Sequence, residues 1–283
     1  MKSTIARLSD GTIELLITVP WSEVAAQYEK TVAHMVEHAE IDGFRKGKAP
    51  RAVVEAKLDK TKVYEEVLKD LIPKVYGKSV EEQKIRPIVS PKIELKDATE
   101  NKDWVLRALT CEKPQVTVGE YKKAIQDVKA SKTQKIWKPG DSPDQKDKPQ
   151  KPSLDELLKA LYDNVKITLP ALLLDHEVNR LLSDLIDQTK KLGMSVEQYL
   201  SSTGRTADTV RKEYEGQAAR TLTLEFALES IADKEGILIS DDDIDTVIKT
   251  AKTDAEKEGL SAQRYYIASV LRRQKTLDFL AGL

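Results

Sequence analysis

Residues 43–50, Gly43-Phe44-Arg45-Lys46-Gly47-Lys48-Ala49-Pro50, are poorly suited to a core, and they form one turn between two helical patterns. Arg45, Lys46 and Lys48 are too costly to bury without partners, and Phe44 has few apolar neighbours in sequence. Gly43 and Gly47 admit backbone angles that other residues avoid, and Pro50 suits the start of a following helix. The expectation is a stiff, projecting loop that offers charge and an aromatic ring to a partner.

The patterns on either side define an α+β domain. Residues 4–8 and 12–19 read as strands joined at Ser9-Asp10-Gly11, a strong hairpin signal. Ile13, Leu15, Ile17 and Val19 alternate onto one face. A helix follows to about residue 40, with Ser22 as the expected N-cap and Trp21, Val24, Ala25, Tyr28, Val32, Met35, Val36 and Ala39 in one stripe. A short helix near 50–58 and a longer one near 61–83 come after the basic loop. Val63, Val67, Leu71, Val75 and Val80 line the longer one, and Pro73 either kinks or ends it. Residues 91–96 and 103–111 read as a second pair of strands. That order predicts helices on one face of a small antiparallel sheet.

The chain has 283 residues, beyond one ordinary domain, so two are expected. Residues 1–115 form the first, 116–152 an extended connection and Pro/Lys-rich linker, and 153–283 an all-helical second domain of long helices. In that domain Pro170 opens a helix stopped by Gly193, Ser195 starts a short one ending before Gly204, and a long one runs from about Thr206 to Glu235. Ser240 to Asp243 resembles a capping box, and two more helices run to about Glu258 and from Ser261 to Phe279.

Composition excludes several classes. The formal net charge is -1, so any nucleic-acid contact comes from a local patch. One cysteine, Cys111, permits neither an intrachain disulfide nor a thiolate cluster, and its place among strand residues is that of a structural thiol. No apolar run approaches a membrane span, and no signal peptide is expected at the start, so a cytoplasmic protein is the simplest expectation. His34 and His38 have the spacing of a metal pair but lack an evident third ligand, and the acids at 241–243 suit a helix N-terminus; no metal or cofactor is expected.

The loop resembles the G-F-R-x-G-x-x-P signature of the trigger factor family, the ribosome-associated chaperones of bacteria, at every fixed position. The resemblance continues through Thr110-Cys111-Glu112-Lys113-Pro114, Val118-Gly119-Glu120-Tyr121, Leu169 to Leu173, Gly193 to Tyr199 and Leu277 to Leu280. It implies docking beside the exit of the ribosomal tunnel, against a ribosomal protein and nearby RNA, with Phe44, Arg45 and Lys46 as the contact triplet, Gly43, Gly47 and Pro50 shaping the loop, and Lys48 and Arg51 adding field. It also implies that the helical domain shields unfolded nascent chains. Leu222, Phe226, Tyr265 and Phe279 are candidate client contacts, though packing against a neighbouring helix is the stronger account of any one of them. Pairing of free molecules is left open.

Family members usually carry a peptidyl-prolyl isomerase domain between these parts. Here residues 131–152 hold that place, too few for such a fold, so no catalytic residue is carried over. Two other readings stand beside the ribosome-bound chaperone: a prolyl isomerase with an unrecognised site, and a cytosolic holdase whose loop does not dock.

Overall fold

Strand β1 (Lys2–Arg7) pairs antiparallel with β2 (Thr12–Val19), whose alternation buries Ile13, Leu15, Ile17 and Val19 at 1% exposure or less. The computed structural model describes residues 1–42, 44–133, 152–251 and 253–283. Most of the Pro/Lys-rich linker therefore lies outside the described residues, as does Gly43. Among the described residues the chain divides into two compact units: Met1–Lys113 with Pro170–Leu173, and Pro114–Leu169 with Leu174–Leu283.

The first unit is built on a four-stranded antiparallel sheet in the order β1-β2-β4-β3, with β3 at Lys92–Asp97 and β4 at Trp104–Cys111. Register sets Val19 opposite Trp104, Ile17 opposite Leu106 and Leu15 opposite Ala108, so both central strands turn one apolar face the same way. Helices α1 (Trp21–His38) and α3 (Lys60–Glu82) cover that face, and Val24, Val32, Val63, Val67, Leu71 and Val75 join the core. Trp104 is its aromatic centre: Trp21 and Tyr64 lie 6.4 and 5.6 Å away between ring centroids. On the opposite face Arg107 Nε donates to Glu14 at 2.7 Å and its Nη1 to Glu94 at 3.2 Å. This is the expected sheet with helices on one side.

One local expectation changes and another is narrowed. The N-cap of α1 is Pro20, not Ser22; its fixed φ of −57° starts the helix, and Asp103 accepts from the Trp21 amide at 2.9 Å. That acceptor stands next to β4, 82 residues on, so no local pattern announces it. Pro73 lies inside α3, which runs on to Glu82.

The second unit departs further from expectation. Residues 116–133 are not an extended connection: Val116–Val118 form β5, which pairs with β6 (Val165–Ile167), and Tyr121–Thr133 form α4. In α4 only Tyr121, Ile125 and Val128 carry the apolar side, too sparse for a sequence pattern to stand out. They are secured by packing with Leu157 and Leu161 of α5 (Leu154–Asp163) against Ala227, Leu228 and Ile231 of α8 (Ala207–Lys234) and Leu280 of α11 (Arg264–Gly282). Tyr121 donates its hydroxyl proton to Glu235 at 2.6 Å. The strand β6 also qualifies the all-helical reading of residues 153–283.

Helix ends follow the local rules. Helices α6 (Ala171–Lys191), α7 (Val196–Thr203) and α8 occur as expected, and capping boxes open α7 at Ser195, α8 at Thr206 and α9 (Asp241–Lys249) at Ser240. Where one helix was expected to reach Glu258, a further box at Thr253 and Glu256 starts a separate α10 (Asp254–Ala262). Beside the capping box, cations meet two of the acids that open α9: Arg264 donates to Asp241, and to Asp245 further on, and Lys275 with the Ser240 cap holds the Asp243 carboxyl down to about 2.

Two measurements check the core of the first unit. Leu106→Ala removes a side chain buried between sheet and helices and is expected to destabilise by about 2–5 kcal/mol in denaturant unfolding. Cys111 is fully buried at the end of β4, and that burial pushes its thiol up to about 11. At pH 8 the native protein should therefore leave a thiol reagent almost unconsumed, with full reaction only after denaturation; rapid modification of the native chain would show that this strand end opens freely.

Candidate functional site

The basic loop begins where α1 runs out. Ala39 leaves the helix with extended angles (φ −67°, ψ 137°), and the chain turns back at once through two tight bends. The Phe44 amide donates to Ile41 O at 3.0 Å, and the Lys48 amide to Arg45 O at 2.9 Å. Between them the Gly47 amide donates to Ala39 O at 3.1 Å and ties the return leg to the end of α1. Gly47 has φ +69°, and a Cβ built there would stand 2.3 Å from the Glu37 carbonyl oxygen. Only glycine satisfies both the angle and the approach.

Below the turn the loop is anchored. Ala49 is buried, and Pro50 is the N-cap of α2 (Arg51–Glu55), where Val54 is also buried. The Arg51 guanidinium bridges two carboxylates: Nη2 to Glu29 of α1 at 2.6 Å and Nε to Glu55 of α2 at 2.5 Å. These carboxylates hold the Arg51 guanidinium still more firmly protonated than usual. Above the anchor, Phe44 is 46% exposed and Arg45, Lys46 and Lys48 are all exposed. Lys46 donates to Glu40 at 2.8 Å and lowers the carboxyl's pKa. Arg45 and Lys48 have no ion pair among the described residues.

The structure thus gathers Phe44, Arg45, Lys46, Gly47, Lys48 and Pro50 into one projecting turn, while Gly43 lies outside the described residues. It also revises the roles of the cations. Arg51, expected to add field, is neutralised from both sides, and Lys46 is half engaged. The cations free to meet a partner are Arg45 and Lys48.

The four candidate client residues do not form one surface. Leu222 and Phe226 are buried at 6% and 9% exposure, so in this conformation they present no face to a client. Their place on the second side of α8 is explained by packing. Phe279 lies partly buried against the core of the second unit, with Lys122 Nζ 5.7 Å above its ring. Tyr265 stands out at 91% exposure. It rims a groove of about 450 Å³ between α8 and α11, which also takes in Leu228, Ala232 and Leu238. Sequence reading passed over Leu238, which is 77% exposed just after the glycine stop at Gly236; an apolar residue in so short a connection was the available signal.

Other chemistry-bearing residues have local explanations. His34 and His38 stack at 4.4 Å between ring centroids, and His38 Nδ1 lies 2.9 Å from the His34 carbonyl oxygen. Among the described residues no three His, Cys, Asp or Glu converge as a metal site. No helix among them is long and apolar enough to cross a membrane.

Comparison with known proteins agrees with the signature. Residues 1–136 match the family model described as bacterial trigger factor protein, and residues 145–281 match the one for the C-terminus of the same protein. The trigger factor of Carboxydothermus hydrogenoformans is 24% identical over 420 aligned positions, covering 99% of this chain and 98% of that protein. Those of Pelotomaculum thermopropionicum and Bdellovibrio bacteriovorus are 34% and 37% identical over 122 and 121 residues, 43% of this chain in each case. Those two matches span only 28% of either relative. A solved structure from work on promiscuous substrate recognition in folding and assembly activities of the trigger factor chaperone superposes with a TM-score of 0.64 at 16% identity, covering 100% of this chain and 99% of that one. At that identity the likeness is one of fold. With both family models matched end to end along the sequence, the chain belongs to the trigger factor family.

Proposed function

We propose that this protein is a cytoplasmic chaperone that docks on the ribosome through the 44–50 loop and holds emerging, unfolded polypeptides with its helical second unit. One observation carries the docking half: the loop is pinned at its base yet leaves Phe44 half exposed, with Arg45 and Lys48 unpaired beside it. A half-exposed ring flanked by cations on a pinned turn suits a partner that covers the ring and pairs the charges together. Arg45 can fork onto a carboxylate or phosphate, Lys48 supplies a point charge, and Phe44 fits a shallow apolar pocket. Such a tip matches the exit-tunnel surface, where a ribosomal protein lies beside RNA. The client-holding half rests on family membership and on exposed apolar residues such as Tyr265 and Leu238 in the second unit.

The chaperone reading includes no isomerase. The two family matches leave only residues 137–144 between them, far short of a catalytic domain. The Carboxydothermus relative, aligned over 420 positions against 283 residues here, carries segments with no counterpart in this chain.

Phe44→Ala, Arg45→Ala and Lys46→Ala combined should abolish co-sedimentation with ribosomes, at least a ten-fold loss, while leaving the fold intact by circular dichroism. The wild-type affinity should fall only shallowly with salt, with a log–log slope of about −2 or less, because two cations are free. Sedimentation unchanged in the triple variant would instead favour a holdase that works away from the ribosome, recognised by suppressed aggregation of an unfolded substrate without ribosome affinity. In a proline-peptide isomerisation assay, the rate with protein should equal the uncatalysed rate; clear acceleration would restore the enzymatic reading.

A further inference from the structure

We infer that Arg51 and Gly47 are positioning residues: they hold the loop in its docking shape before any partner arrives and touch no partner themselves. This rests on the docking reading above. Three ties close the base of the loop within a few residues: the Gly47 amide on Ala39 O, the buried Ala49, and the Arg51 bridge from Glu29 on α1 to Glu55 on α2. The bridge spans the two helices that the loop connects. One cation between two carboxylates leaves that group one negative charge, so it has no excess positive field to offer a polyanion. Its geometry is that of a strut. Gly47 acts by backbone approach, since the Glu37 carbonyl stands where any side chain would begin.

A loop already in its bound shape avoids the ordering cost of association, so loosening the base weakens binding without removing any contact. The ion pairs involved are exposed, and pairs of this kind add little to global stability, so breaking them leaves the domain folded.

The test compares full-length variants in ribosome sedimentation and in amide hydrogen exchange of the free protein. Arg51→Met keeps the stem and removes the charge. It should weaken ribosome binding roughly three- to ten-fold and speed exchange at the Phe44, Gly47 and Lys48 amides. The exchanged pair Glu29→Arg with Arg51→Glu, made together with Glu55→Gln to avoid two acids one turn apart on α2, restores an ion pair between α1 and α2 and should recover both readouts in part. Gly47→Ala should lose affinity with every charge intact. If Arg51→Met loses affinity with exchange unchanged, and the exchanged pair fails to restore binding, Arg51 is a direct contact and the inference is wrong. Unchanged affinity and exchange in Arg51→Met would overturn it as well. The docking reading is judged separately by the triple variant of the tip: should that variant bind normally, docking fails, while faster exchange in Arg51→Met would still identify the strut.

Discussion

The close approach of Gly47 to the last turn of α1 is the constraint on which the candidate site depends. A helix end leaves carbonyl groups without partners, and the returning chain supplies an amide to Ala39 O. That contact is possible only because nothing projects from the glycine toward Glu37. It makes the loop narrow, and narrowness drives Phe44 and its cations outward instead of letting them fold back on the helices. The sheet matters to the site through the same chain of causes: the buried faces of β2 and β4 seat α1 and α3, and α1 fixes where the loop starts.

Charge around the loop is divided by geometry. Four cations lie within residues 45–51, and on composition alone they would form one basic patch. The helices on either side bring Glu29 and Glu55 into reach of Arg51, and Glu40, just past the end of α1, pairs with Lys46, which commits Arg51 to structure and Lys46 to an exposed pair. What remains is a ring with two free cations. Such a surface suits recognition of a particular site more than adhesion to any polyanion, because affinity for phosphate backbones grows with the number of neutralised charges.

The second unit shows where sequence reading runs short. Its long helices are legible because caps and glycine stops are local: Ser195, Thr206 and Ser240 each bond within their own first turn, and Gly193, Gly204 and Gly236 take positive φ at the ends. Helix α4 and the β5–β6 pair were not legible. Their few apolar residues gain meaning only when Leu157, Leu161, Ile231 and Leu280 close over Tyr121 and Ile125. Two of the client candidates show a related limit. Leu222 and Phe226 share a periodicity that serves a partner or a packed neighbour equally well, and burial decides for the neighbour.

By itself the sequence determined the α+β sheet, through two-residue alternation in β2 and β4, and the family, through the fixed spacing of Gly43, Phe44, Arg45, Gly47 and Pro50. Both are written in near neighbours along the chain. Only the tertiary structure decided that Arg51 is a strut, that Asp103 caps α1, and that Arg45 and Lys48 are the free cations. Those outcomes depend on groups brought close by folding from 22 and 82 positions away, and neither propensity nor periodicity records such distances.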